Sequence, residues 1–313
     1  MIKESISVVS EPELAIPTQS QELYRSFTVS DQIYRPCPPT VSALDPGYYH
    51  TGFDNNGLYF GKLTVEIRDL ILFKGSVVER IVKEFNNFWV KKERYLSFGE
   101  PHKRGFLLWG PPGGGKTCAV SLLINEFIKQ GNIVFKFSLE FAVGFDSFRK
   151  IEPNRKVMVI IEDIELFLQY ADAEQRLLQF LDGDRQFSNT VIIATTNYPE
   201  KLGDRIINRP SRFDTVYYLG MPTVEERKEY LTYKCKITST KEITKWSKDT
   251  DGWTLAHLKE LITAVEVLEY PYETVITRIN KMREKKSHSD AYQAELRGTS
   301  SIDFGFNRGK ETC

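Results

Sequence analysis

The chain has 313 residues, enough to bury a sizeable core and to form one medium domain with a smaller one. Its 42 basic and 42 acidic side chains cancel, so bulk charge does not draw it to nucleic acid or to an anionic membrane. The cysteines form no C-x-x-C pair, and the N-terminus is unlike a signal peptide. No apolar run reaches the roughly 18 to 20 residues of a membrane span. We therefore expect a soluble, cytoplasmic protein without a membrane partner.

The two ends of the chain differ in composition from the middle. Residues 1–57 are rich in Ser, Pro, Gln and Thr, which predicts a poorly structured arm without a core of its own. The aromatic residues of this arm favour packing against its own subunit over packing against a neighbour. Residues 287–313 are polar and predict a flexible tail, in which SIDFGF could be a short docking segment.

Residues 58–220 predict an α/β domain. LYFGKLTVEI indicates a strand or a hairpin arm, and Ser76-x-x-Glu79 is a capping box that opens an amphipathic helix. Strand-length apolar runs then alternate with helical or polar segments, at FLLW, NIVFKF, KVMVII and TVIIATT. This alternation predicts a parallel sheet sandwiched by helices. After a second capping box, Thr223-x-x-Glu226, residues 221–286 predict a small all-helical domain.

The most specific motif is GPPGGGKT, which satisfies G-x-x-x-x-G-K-[ST] between an apolar strand and a helix. Glycines let successive backbone N–H groups converge on phosphates, and the helix N-terminus adds its positive end. Lys116 would reach the β- and γ-phosphates and the Thr117 hydroxyl would bind magnesium, so ATP and Mg²⁺ are the expected cofactors. The nucleotide-binding residues predicted from this stretch are Gly110, Pro111, Pro112, Gly113, Gly114, Gly115, Lys116, Thr117 and Cys118.

Polar side chains follow the last two of the predicted strands, KVMVII and TVIIATT. Glu162 would hold the metal and Asp163 would polarise the attacking water, although which acid has which role stays open, and both could instead cap the next helix. Asn197 would contact the γ-phosphate or the water, but an Asn before Tyr-Pro is equally typical of a turn. Both strand ends are therefore candidate parts of a hydrolytic site.

The segment NRPSRFD places Arg209 and Arg212 three residues apart. Two guanidinium groups projecting from one surface could reach the γ-phosphate bound to a neighbouring subunit. Arg205 is a minor competitor for the first of these two roles.

Together, GPPGGGKT, VIIEDIE, TTN and NRPSRFD resemble the Walker A, Walker B, sensor 1 and arginine-finger elements of the AAA family, in the family's order. GWTLAHLKEL resembles its sensor 2 helix, with Ala256 at the family's small residue. The resemblance covers about residues 58–285 and looks most like the mitochondrial Rieske-protein translocase branch, without that branch's membrane anchor and substrate domain. It implies a P-loop NTPase (AAA+) fold with a helical lid, a homo-oligomeric, hexameric ring, and mechanical work on a protein substrate.

Members that thread proteins carry an aromatic-hydrophobic-glycine pore loop after the second strand. In the matching segment, residues 141–148, Ala142 stands at the aromatic position; Phe141 or Phe145 could substitute, but packing in the core is equally supported. The favoured function is a motor that remodels a protein or protein assembly. The alternatives are a nucleic-acid-directed ATPase of the helicase-loader or viral genome-handling type, disfavoured by the neutral charge, and a nucleotide-gated scaffold with slow hydrolysis.

Overall fold

The computed structural model describes residues 26–30, 33–37, 40–65, 71–182, 188–207, 209 and 211–283. They belong to two compact units, residues 1–44 and 45–313. In the first unit, strands β1 (Ser26–Ser30) and β2 (Ile33–Cys37) pair as an antiparallel hairpin. The predicted tail, residues 287–313, lies outside the described residues, as does the first part of the predicted arm.

The second unit is built on a seven-stranded, mostly parallel sheet, which confirms the predicted α/β class. Its strands are β3 (Gly47–Asp54), β4 (Gly57–Leu63), β5 (Lys103–Trp109), β6 (Ile133–Lys136), β7 (Val157–Ile161), β8 (Thr190–Thr196) and β9 (Thr215–Tyr218). They lie in the order β4-β3-β6-β7-β8-β5-β9. All neighbours are parallel except β3 and β4, which form an antiparallel hairpin.

Helices cover both faces of this sheet. Val134 of β6 belongs to a core cluster with α1 and α3, whereas the next residue, Phe135, contacts the rings of Phe141 and Phe148 on α4. Successive strand residues point to opposite faces, so α4 lies on the face away from α1 and α3. The helices are α1 (Val77–Val90), α2 (Lys92–Ser97), α3 (Lys116–Lys129), α4 (Leu139–Ile151), α5 (Ala171–Asp182), α6 (Asp204–Ile207), α7 (Val224–Lys234), α8 (Thr240–Asp249), α9 (Leu255–Ile262) and α10 (Tyr272–Arg283).

The sheet begins earlier in the chain than the composition indicates. Strand β3 falls inside the predicted arm, yet it pairs with β6, and Tyr49 is buried against Phe135. The turn residues of this stretch belong to a hairpin, because Asn55 and Asn56 connect β3 to β4. The expectation of a poorly structured arm is therefore wrong for residues 47–54, and β1 and β2 also form a hairpin within the predicted arm.

The candidate pore-loop segment is helical and its phenylalanines face the core. Phe141 and Phe145 are at most 1% exposed, and Phe148 lies beside them. Their spacing of four and three residues puts them on one face of α4, which packs on the sheet. Neither Phe141 nor Phe145 can contact a substrate from this position, so the packing alternative holds for both.

The lid consists of α7 to α10, and it is confirmed as a helical region after the sheet. Thr223 and Glu226 form the predicted reciprocal capping box at the start of α7. The lid core includes Trp253, which is fully buried and donates its indole N–H to Asn280. Phe73, from the segment before α1, also packs into this core. The lid and the segment that leads into α1 are therefore joined by apolar packing.

A single carboxylate fixes the loop between α7 and α8. Glu266 accepts hydrogen bonds from the backbone N–H groups of Lys236, Ile237 and Thr238 at 2.9 to 3.1 Å and from the Thr238 hydroxyl. Burial alone would raise the pKa of Glu266, but the hydrogen bonds from Thr238 and the three amides outweigh it and lower this pKa to about 2. The folded lid therefore favours the ionised form.

Replacing Glu266 by Ala is expected to destabilise the lid by about 1 to 2 kcal/mol at neutral pH, because three amides lose their acceptor and water replaces it only in part. The stabilisation is complete above the ordinary carboxyl pKa of 4.5 and is lost as the pH falls from there towards 2. The difference in Tm between wild type and variant should accordingly narrow over that range. Glu260→Ala, which breaks an exposed ion pair with Arg278, is the control and should change Tm little. An equal effect of Glu266→Ala at both ends of the range would contradict this account.

Candidate nucleotide-binding site

The glycine-rich loop connects β5 to α3 at the carboxyl edge of the sheet. Gly115 has φ of 95° and is the N-cap of α3, a left-handed conformation that glycine adopts without strain. At Gly110 a Cβ atom would collide with the carbonyl oxygen of Leu219. The loop backbone can therefore lie close both to Leu219, which directly follows β9, and to a ligand, as phosphate binding through N–H groups requires.

Lys116 is buried at the start of α3, and its ammonium spans the loop. Nζ donates to the carbonyl oxygens of Gly110 at 2.7 Å and Pro111 at 3.0 Å, and to Asn197 Oδ1 at 2.6 Å. Burial lowers the pKa of Lys116 to about 8, while the carboxylates of Asp163 and Glu165 oppose this shift. A nucleotide phosphate placed beside this ammonium would favour its charged form and so offset the cost of burying it.

The two acids after β7 occupy different surroundings. Asp163 has φ of 48°, and its Oδ1 lies 3.3 Å from Asn197 Nδ2. Glu162 lies 3.9 Å from the ammonium of Lys136. The structure therefore links Asp163, and not Glu162, to the side chains of Asn197 and Lys116. This arrangement fits the predicted role of Asp163 near the attacking water, which stays a prediction.

One acid of this region escaped the sequence analysis. Glu165 is 7% exposed, and its Oε1 accepts from the backbone N–H of Asn197 at 3.5 Å. A charged residue within the otherwise apolar run IELFL is the signal that could have singled it out.

Most of the predicted site residues of the loop and the strand ends line one cavity of about 530 Å³. Gly110, Pro111 and Gly114 are not part of its lining. Thr117, Glu162 and Asp163 all contribute to its wall, and Ala256 and Lys259 of α9 close it from the lid side. Hydroxyl and carboxylate oxygens are the ligands that Mg²⁺ prefers, and this ion usually completes its shell with water and phosphate oxygens. Among the described residues no cluster of three or more His, Cys, Asp and Glu could hold a metal by itself. The donor set thus fits a magnesium ion that arrives with the nucleotide.

A second, narrower cavity of about 290 Å³ adjoins the first and shares Gly115, Cys118 and Leu255 with it. Its other walls are the segments 71–78 and 218–223. The lining is largely apolar, with Ile71, Phe73, Val77 and Val78 on one side, which suits a purine base. The sequence analysis missed this pocket because its walls come from distant parts of the chain.

The two predicted finger arginines do not share a surface. Arg209 is 60% exposed and lies 3.1 Å from Asp182. Arg212 is 4% exposed, and its guanidinium binds the same carboxylate through Nε at 2.7 Å and Nη2 at 2.6 Å. The hydrogen bond from Arg212 is the main cause that lowers the pKa of Asp182. The expectation that both arginines project outwards is wrong for Arg212, because bidentate pairing holds it inside the fold.

Arg205 and Arg209 remain available at the surface. Arg205 is 79% exposed and lies 3.7 Å from Glu174. Neither lines the cavity of Lys116.

Within the described residues, no helix combines the length and the apolar character needed to cross a membrane.

Comparison with known proteins points to the same chemistry. Residues 106–221 match the model of the ATPase family associated with various cellular activities (AAA). The chain is 30% identical over 175 residues to the probable mitochondrial chaperone bcs1 of Schizosaccharomyces pombe, covering 52% of this chain and 38% of that protein. It is 26% identical to the ATP-dependent zinc metalloprotease FtsH 2 of Phytoplasma mali, covering 60% of this chain and 30% of that protein. It is 28% identical to the cell division cycle protein 48 homolog of Archaeoglobus fulgidus, covering 58% of this chain and 27% of that protein. The chain thus spans about a third of the length of these relatives.

Proposed function

We propose that this chain, whose residues 106–221 match the AAA family model, binds ATP with Mg²⁺ and hydrolyses it as part of a ring of identical subunits, a hexamer as in the family. The ring is proposed to remodel a protein or protein assembly in the cytoplasm. The observation that supports hydrolysis is the chain of contacts from Lys116 through Asn197 to Asp163, which brings a phosphate-binding cation, an amide and an acid into one cavity.

Each of these side chains has a role in this proposal. The loop N–H groups and Lys116 bind the β- and γ-phosphates, and Thr117 and Glu162 would hold the magnesium ion, which neutralises charge on the phosphate oxygens. Asp163 takes a proton from the attacking water, and Asn197 orients that water against the γ-phosphorus. The apolar pocket beside Cys118 takes the base.

The proposal assigns Arg209 as the finger that acts on a neighbouring subunit. It is the exposed member of the pair, while Arg212 holds Asp182, which in turn orients Arg209. Arg212 is then a positioning residue. The exposed Arg205 is the competing candidate.

The neutral charge disfavours a nucleic-acid-directed ATPase, and the names of two relatives describe a chaperone and a protease, which favours protein remodelling. A nucleic-acid-directed ATPase would show strong, salt-sensitive stimulation of turnover by DNA or RNA. A scaffold would bind ATP tightly and release almost no phosphate as an assembled oligomer.

Arg209→Ala is expected to lower kcat by about 10³-fold, the contribution typical of an arginine finger, while ATP binding is retained. Steady-state phosphate release should rise with protein concentration for wild type, in step with oligomer formation measured by sizing in ATP. Arg205→Ala tests the competing candidate: it should leave kcat near the wild-type value, and a loss of turnover in Arg205→Ala with an active Arg209→Ala would assign the finger to Arg205.

A mixing experiment tests whether the finger acts between subunits. Lys116→Ala subunits keep their arginine, and Arg209→Ala subunits keep their nucleotide site. Mixed rings should therefore recover activity that neither variant shows alone. If the mixture stays inactive although mixed oligomers form, or if Arg209→Ala turns over normally as a monomer, the shared-site mechanism is incorrect.

A further inference from the structure

Glu165 is a buried acid to which the proposed chemistry gives no role. It follows Asp163 by two residues, in the short 3-10 helix Ile164–Leu168. Its Oε2 is buried and has no hydrogen-bond partner among the described residues. A buried carboxylate oxygen without a donor is costly, so its presence calls for a compensating interaction elsewhere in the same side chain.

The compensating interaction lies at the end of β8. The backbone N–H of Asn197 donates to Glu165 Oε1 at 3.5 Å, while the backbone N–H of Asp163 donates to Thr195 Oγ1 at 3.2 Å. Each segment thus gives one backbone donor to a side chain of the other. The two contacts join the exit of β7 to the end of β8.

These two contacts hold the backbone of Asn197, whose side chain connects Lys116 to Asp163. The Asn197 side chain donates to Asp163 and accepts from Lys116, so a small rotation of its backbone would break one of these contacts. The Glu165 carboxylate is also close enough to the Lys116 ammonium to favour its charged form.

We propose that Glu165 is a positioning residue for ATP hydrolysis, which holds the backbone of Asn197 so that its side chain bridges Lys116 and Asp163. The inference rests on the proposed ATPase function. It adds a third acid to the two predicted after β7, with a role distinct from metal binding and from proton transfer.

Two substitutions separate positioning from general stability. Glu165→Leu fills the same buried volume but removes the acceptor, and it should lower kcat by about tenfold or more, because small displacements of reacting groups cost rate steeply. ATP affinity and Tm should change little, since the loop and the core are intact. Glu165→Gln keeps an acceptor oxygen and should retain most of the activity.

Glu152 supplies the matched control. It is also a buried glutamate, 9% exposed, but it precedes β7 and pairs with Arg155 at the opposite end of the strand. The same two substitutions at Glu152 should leave kcat within about twofold of wild type when expressed per folded protein.

The Asn197 amide gives a readout that does not depend on turnover. In selectively ¹⁵N-Asn-labelled protein, Glu165→Leu should shift the Asn197 amide proton upfield, and Glu152→Leu should not. An unchanged Asn197 resonance, or a kcat of Glu165→Leu equal to that of wild type, would overturn the inference. Absence of hydrolysis by the wild-type protein would instead refute the proposed function, while the amide shift would still report on the contact.

Discussion

Lys116→Ala should lose ATP hydrolysis by at least about 100-fold and weaken ATP binding, because it removes the only ammonium that the structure places between the loop carbonyls and Asn197 among the described residues. The loop itself should stay folded. Burial already disfavours the charged form of this lysine, so its removal relieves a cost as well as losing three hydrogen bonds.

The measurement is a titration of a fluorescent ATP analogue together with steady-state phosphate release. Lys129→Ala is the control, since Lys129 is an exposed lysine at the other end of the same helix. Wild-type affinity in Lys116→Ala would mean that nucleotide does not bind at this loop. The roles proposed for the other residues of this cavity would then also be incorrect.

Asp163→Asn is expected to lower kcat by about 10² to 10⁴-fold, the usual contribution of a general base, and to leave ATP bound. The backbone makes this a clean substitution, because Asn tolerates the left-handed conformation at position 163 about as well as Asp does. Glu162→Gln should act differently. It should raise the Mg²⁺ concentration needed for half-maximal activity and lower kcat less.

Comparing the two variants across a magnesium titration decides which acid has which role, a question that the order of the residues leaves open. The structure favours Asp163 as the base, because it contacts Asn197 while Glu162 lies beside Lys136. If Asp163→Asn shifts the magnesium requirement and Glu162→Gln abolishes turnover, the two roles are exchanged.

The parts of the fold that the sequence predicts well are those encoded over short distances. The glycine loop, the helix after it and the apolar strands β7 and β8 each carry their own signal within about ten residues. The resemblance to the AAA family rested on these segments and is confirmed. Where the prediction failed, the deciding contact was distant in the chain.

Strand β3 is one such failure, since its sequence is typical of a loop and its place in the sheet depends on pairing with the distant strand β6. Arg212 is another, because its partner Asp182 lies 30 residues earlier and no local sequence pattern indicates the ion pair. The phenylalanines of α4 are a different case. Their spacing is compatible with either a pore contact or core packing, and only the burial of Phe141 and Phe145 decides for packing.

The segment between β4 and α1 shows how the two parts of the second unit depend on each other. Phe73 lies in the core of the lid, and three residues later Ser76 caps α1 of the ATPase body. Phe73 thus precedes in the chain all the helices whose hydrophobic core it completes. A fragment that ended at residue 220 would leave Phe73 without its apolar neighbours in the lid. Because Phe73 also lines the proposed base pocket, removing the lid would weaken the wall of that pocket.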